Sequence, residues 1–132
     1  MRAETRHALV ARLSRFDRVV EVGIGTRPDV AAALASDGTA VTATDIEQCP
    51  VPDGVRFVRD DVTDPDRGVY ADADAIYALN LPPELHRPTR ALARAVDATF
   101  LFTTLGAEPP AVPVEREMLP GTTLYTAKAE PA

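Results

Sequence analysis

The run Arg18-Val19-Val20-Glu21-Val22-Gly23-Ile24-Gly25-Thr26-Arg27-Pro28-Asp29 constrains this chain more than any other stretch. A short valine-rich segment bounded by turn residues has the signature of a buried strand. Two glycines follow it. They permit a tight turn and a close approach of backbone to a ligand, and the helix start beyond them offers unpaired N–H groups. Thr26-x-x-Asp29, with Pro28 between, reads as that helix start and resembles a capping box. Strand, glycine turn and helix in this order mark the place where an α/β domain holds a mononucleotide-type cofactor.

The rest of the chain repeats the alternation. Leu9, Val10, Leu13 and Phe16 recur at helical spacing, with Arg2, Arg6, Arg12 and Arg15 largely opposite them, so residues 1–17 are predicted as an amphipathic helix. A cofactor-type core is expected over residues 18–105, with strands at 18–22, 40–45, 55–58, 75–79 and 99–105. A first core helix runs to Gly38; a second carries Leu85, Leu92 and Val96, with Pro88 disturbing its first turn. Residues 106–132 are a Pro-rich connection at 109–113 and a final strand, Thr122–Ala127, open to antiparallel pairing. The fold class is therefore α/β, a single Rossmann-like domain with a mostly parallel sheet.

Two crossovers are lean. Only residues 46–54 separate the second and third strands, and the turn-rich Asp64-Pro65-Asp66-Arg67-Gly68 occupies much of the next connection. A whole crossover with its helix needs roughly 10–12 residues or more. The helices there are expected to be missing or reduced to a turn. Parallel sheets want both faces covered, so a homodimer or a protein partner is expected over the bare face.

Composition excludes several function classes. At 132 residues the chain fits one domain, and 45% hydrophobic with 26% charged residues is ordinary for a soluble globular protein. No apolar run approaches a membrane span, and Met1-Arg2-Ala3-Glu4-Thr5-Arg6 is no signal peptide, so a cytoplasmic location is expected. A net charge of −6 argues against generic binding to nucleic acid or anionic membranes. The single Cys49 excludes an internal disulfide and any multi-cysteine metal site, and no metal is expected. One lysine, Lys128, among 14 basic residues fits either GC-rich coding or adaptation to salt.

Candidate site residues gather where the strands end. Glu21, Gly23 and Gly25 close the first strand. Pro28 stands where the dinucleotide fingerprint G-x-G-x-x-G needs its third glycine, and Arg27 where methyltransferase-type turns usually carry glycine. Asp29 would repel a pyrophosphate at the helix start, whereas S-adenosylmethionine has no phosphate; its ammonium group suits Glu21 and its carboxylate suits Arg27. Asp45 ends the second strand, placed either to accept from ribose hydroxyls or to cap the next turn; Ile46 beside it is placed to pack on adenine. Asp61 follows the third strand, as an acceptor for the adenine amino group or as a solvated loop acid. Beyond the fourth strand, Asn80 is placed to orient a methyl acceptor, and His86 either takes a proton or is a surface histidine in a first helical turn.

Taken in order, Val20-Glu21-Val22-Gly23-Ile24-Gly25, Thr44-Asp45-Ile46, Phe57-Val58-Arg59-Asp60-Asp61 and Asp74-Ala75-Ile76-Tyr77 resemble the successive motifs of class I S-adenosylmethionine-dependent methyltransferases. With its short length and its Pro-Pro-Glu-Leu-His segment, the chain is more closely similar to a small, mainly archaeal family of uncharacterised proteins with a truncated methyltransferase-like fold. The resemblance implies the fold and the cofactor S-adenosylmethionine. It places Glu21, Gly23 and Gly25 on the methionine side, Asp45 at the ribose and Asp61 at the adenine. Asn80-Leu81-Pro82-Pro83 departs from the Asn-Pro-Pro-aromatic motif of amino-directed methyltransferases, with Leu81 inserted and Glu84 in the aromatic position. The leading expectation is a small S-adenosylmethionine-binding protein serving methyl transfer. The alternatives are a non-catalytic interaction module on a degenerate fold and an NAD-type oxidoreductase.

Overall fold

A computed structural model describes residues 1–128; the last four residues of the segment 106–132 lie outside the described part. The element order is α1 (Ala3–Leu13), β1 (Arg18–Val22), α2 (Asp29–Ser36), β2 (Ala40–Asp45), β3 (Val55–Arg59), α3 (Arg67–Tyr70), β4 (Ala75–Ala78), α4 (His86–Ala95), β5 (Thr99–Phe102), β6 (Val114–Leu119) and β7 (Thr122–Ala127). One seven-stranded sheet runs β3-β2-β1-β4-β5-β7-β6. The first five strands are parallel, and β7 pairs antiparallel with both β5 and β6. The strand order reverses at β1 and β4, and in open α/β sheets that switch point, at the carboxyl ends of the strands, is where ligands sit.

Burial follows from the alternation of side chains along each strand. Val19, Val41, Ala43, Tyr77 and Leu101 pack with Leu9 and Leu13 of α1 and Leu34 of α2 on one face. Val20, Ile76, Phe100 and Phe102 pack with Tyr70 of α3 and Leu92 of α4 on the other. The lean crossovers are as expected: no helix joins β2 to β3, and four-residue α3 is all that lies between β3 and β4. The bare part of the sheet is not apolar, however. Outward-facing Arg56 of β3 is exposed and Thr42 of β2 is half-buried. Polar side chains thus stand on part of the face where a covering helix would lie.

Three local expectations are corrected. Thr26 and Asp29 form no capping box: Pro28 occupies the N-cap of α2, and no side chain caps it. The left-handed turn through Gly23 (φ 72°) and Gly25 (φ 55°) already aims the chain into the helix, so a side-chain cap is dispensable. Pro88 does not disturb α4. It lies in the first turn, where a helix has no use for its missing N–H. The segment before the final strand is not only a connection, because Val114–Leu119 forms the edge strand β6 and meets β7 through the turn at Pro120-Gly121.

Candidate functional site

The carboxyl ends of β1 and β4, the glycine turn and the start of α2 enclose a cleft of about 560 Å³, a size suited to a small molecule. Its wall includes Glu21, Gly23, Gly25, Leu79 and Asn80. Gly23 and Gly25 hold left-handed backbone, and a methyl group added to either would meet nothing within 4 Å. Their bare Cα atoms thus face open space that a ligand can fill at backbone distance.

Glu21 is the unusual member. Its carboxyl group is buried, at 2% exposure, although it borders the cleft. Tyr77, opposite it in the β1–β4 register, donates its hydroxyl to Oε1 at 2.7 Å. Loss of water raises the Glu21 pKa to about 7, against the opposing pull of the Tyr77 bond. Burial pushes the Tyr77 hydroxyl well above its ordinary range, aided by the Glu21 charge. A buried carboxylate with one neutral partner is costly unless a cation meets it. Tyr77 was not singled out from sequence; the available signal was a tyrosine in an otherwise apolar strand that neighbours a buried acid.

Asp45 and its neighbours lie at the ends of the adjoining strands. Asp45 Oδ2 accepts the N–H of Gly25 at 2.9 Å, and Oδ1 accepts the N–H of Glu47 at 3.0 Å. The first bond ties β2 to the glycine turn; the second caps the following turn. Each oxygen keeps a second lone pair. Ile46 is 58% exposed, an apolar side chain left standing at the rim. Asp61 is fully exposed and closes on its own turn, with Oδ1 accepting from the N–H and hydroxyl of Thr63, which together lower its pKa. The neighbouring Asp60 is structural: it accepts the Tyr70 hydroxyl at 2.6 Å. Glu21 and Asp45 thus sit on the neighbouring strands β1 and β2, and Asp61 lies just after β3; of the three, Glu21 lines the cleft while Asp45 and Asp61 lie outside its wall.

The sequence expectation for His86 does not hold in either form. The ring is fully buried, packed 4.6 Å from Phe102, and neither a surface group nor one within reach of a substrate. Ala111 donates its N–H to Nδ1, so the proton is on Nε2, which donates to the carbonyl of Leu81. His86 is a latch between the β4–α4 connection and the Pro-rich segment. Asn80 differs: it is exposed, lines the cleft and holds left-handed backbone at φ 54°. Its N–H donates to the Thr103 hydroxyl at 2.8 Å, which fixes that conformation at the mouth of the cleft. Cys49 is buried, and its burial with the charges of Asp45 and Glu47 pushes its thiol pKa up, away from reactivity.

Among the described residues no group of side chains is arranged to hold a metal ion, and no helix is long and apolar enough to cross a membrane. Solved structures with the same fold are methyltransferases in several cases. An RNA methyltransferase from Salinibacter ruber in complex with S-adenosyl-L-homocysteine superposes with a TM-score of 0.66 at 17% identity, covering 96% of this chain and 91% of that one. Magnesium protoporphyrin IX methyltransferase from Synechocystis, with S-adenosylmethionine bound, gives 0.65 at 14% identity, covering 95% of this chain and 78% of that one. These likenesses show the class I methyltransferase-like fold. In sequence, a UPF0146 protein of Halobacterium salinarum is 60% identical over 121 residues, 91% of this chain and 94% of that one. A UPF0146 protein of Archaeoglobus fulgidus is 44% identical over 88 residues, 67% of this chain and 68% of that one. With residues 4–129 matching the family as a whole, the chain belongs to the uncharacterised protein family UPF0146.

Proposed function

We propose that the chain binds S-adenosylmethionine at this cleft and serves methyl transfer to an acceptor. The observation that carries the reading is Glu21, a buried carboxyl bordering open space beside two left-handed glycines. A ligand ammonium group placed there supplies the missing countercharge. Asp45 has lone pairs left for ribose hydroxyls, Ile46 offers an apolar surface to adenine, and Asp61 keeps Oδ2 for the adenine amino group. Ligands with this chemistry are present in the methyltransferases of the same fold described above.

When bound, S-adenosylmethionine supplies an electrophilic methyl group on a positively charged sulfur. The protein's task is then mainly alignment, and no strong acid–base pair is needed. Asn80, fixed by Thr103, is the polar side chain at the place where an acceptor enters. The reading is tested by calorimetric titration with S-adenosylmethionine, S-adenosylhomocysteine and NADH. Micromolar binding of the first two alone supports it, and preferential binding of NADH overturns it. A non-catalytic module is the second reading, favoured by the closure of His86 away from the cleft. No binding of S-adenosylmethionine at millimolar ligand distinguishes it.

A further inference from the structure

A second cleft, of about 510 Å³, opens on the other side of Arg27 and Asn80, which line both. The two clefts differ in charge. Glu21 and Asp29 border the first, whereas among the described residues no carboxylate lines the second. Its wall instead presents Arg2, Arg27, Thr5, Asn80, Thr103 and Thr122. In a chain of net charge −6, a cleft with two guanidinium groups and no acid runs against the overall field.

The donors there are available. Arg27 makes no ion pair among the described residues, and Arg2 pairs only with the exposed Glu4 at 3.5 Å, a contact of little strength. The Thr103 hydroxyl is buried and accepts the Asn80 N–H, which leaves its proton free to donate. Among the described residues no tyrosine, phenylalanine or histidine lines the cleft.

We infer that this second cleft binds a small anionic molecule through a carboxylate or phosphate group held by Arg27 and Arg2, with Thr103 donating a hydrogen bond. It adjoins the first cleft across Asn80, so it is the acceptor's seat if the proposed function holds; the anion binding itself stands independently of that reading. A polyanion such as RNA is disfavoured, because the long-range field of the molecule repels it while a small anion meets only the local arginines.

The test is calorimetric titration with glycerol 3-phosphate, succinate and neutral glycerol, each with and without saturating S-adenosylhomocysteine. At least one anionic probe is expected to bind, with glycerol inert, and the identity of the binder separates phosphate from carboxylate. Arg27→Gln and the double variant Arg2→Gln/Arg27→Gln should weaken it about tenfold or more, the size expected for lost charge-assisted hydrogen bonds. Arg27→Lys should recover part of the affinity, and Arg2→Gln alone should leave S-adenosylhomocysteine binding unchanged. Equal binding of probes by the double variant, binding of glycerol, or binding of a short RNA in place of both probes overturns the inference. Binding of S-adenosylhomocysteine with no anionic probe bound removes this inference alone; the reverse removes the proposed function and leaves this inference standing.

Discussion

Glu21 and Tyr77 form a pair whose cost and use are both measurable. A carboxyl that titrates near 7 when folded and near 4.5 when unfolded binds more protons in the folded state between those values, so stability falls as pH rises through that window and is level above it. The shift corresponds to about 3 kcal/mol. Glu21→Gln keeps an acceptor for Tyr77 and removes the ionisation, so we predict a higher melting temperature at pH 8, by several degrees, and a flatter stability profile from pH 5 to 8. The same variant should lose at least tenfold in S-adenosylmethionine affinity, whereas wild-type affinity should fall as pH drops below 7, where the ligand must displace a proton. Of the two glycines, Gly25→Ala meets no protein atom, so its stability cost is limited to about 1 kcal/mol for left-handed backbone, while its methyl group occupies ligand space and should abolish binding. Thermal unfolding and calorimetry on one sample separate the two effects. The acid and the glycines were legible in sequence because strand end and turn are local; the pairing of Tyr77 with Glu21 across neighbouring strands and the sealing of His86 by Phe102 and Ala111 were not, because those partners are remote in sequence.

Between elements, long-range bonds hold the carboxyl edge of the sheet in shape. His86 joins the end of β4 to residue 111 through both ring nitrogens, and its loss leaves a buried N–H and carbonyl without partners. His86→Ala is predicted to destabilise the protein by about 2–4 kcal/mol in denaturant unfolding with little change in ligand affinity. A catalytic role would show the opposite pattern, loss of turnover at unchanged stability. On the other side of the molecule, Thr5 of α1 donates its hydroxyl to the carbonyl of Pro120, and Arg12 pairs with Glu117 of β6 at 3.0 Å. A Cβ at Gly121 would lie 2.4 Å from the Thr5 hydroxyl oxygen, so Gly121→Ala should lift α1 from the β6–β7 turn and lower stability by about 3 kcal/mol or more. The strands at 18–22, 40–45, 55–58 and 75–79 were readable from their apolar runs. Edge strand β6 was not, because Glu115, Arg116 and Glu117 give it the polar composition that protects an edge and resembles a loop.

The whole molecule exposes its large apolar side chains unevenly. Among the described residues these are Met1, Ile46, Leu105 and Met118, and two of them, Met1 and Leu105, border the first cleft. Exposure therefore concentrates at the ligand edge rather than on the face that lacks helices, where Thr42 and Arg56 stand. Sedimentation equilibrium is predicted to return a single species near 14.1 kDa, and a dimer would show that the polar face is an interface after all. Fold class follows from the spacing of strands, glycines and connections, which is why it was accessible from sequence; the order of the seven strands comes from the structure alone. The charge contrast between the two clefts was not accessible either, since it arises where α1, the β1–α2 turn and the β6–β7 turn converge. The role of Glu21 in holding the ligand is tested by calorimetric titration of wild-type protein and Glu21→Gln with S-adenosylmethionine at pH 6, 7 and 8. Wild-type protein is expected to bind with micromolar affinity that strengthens from pH 6 to 7 with release of a proton, and Glu21→Gln to bind at least tenfold more weakly at pH 7 and above. No binding at millimolar ligand, or equal affinity of the two proteins at every pH, would contradict that role.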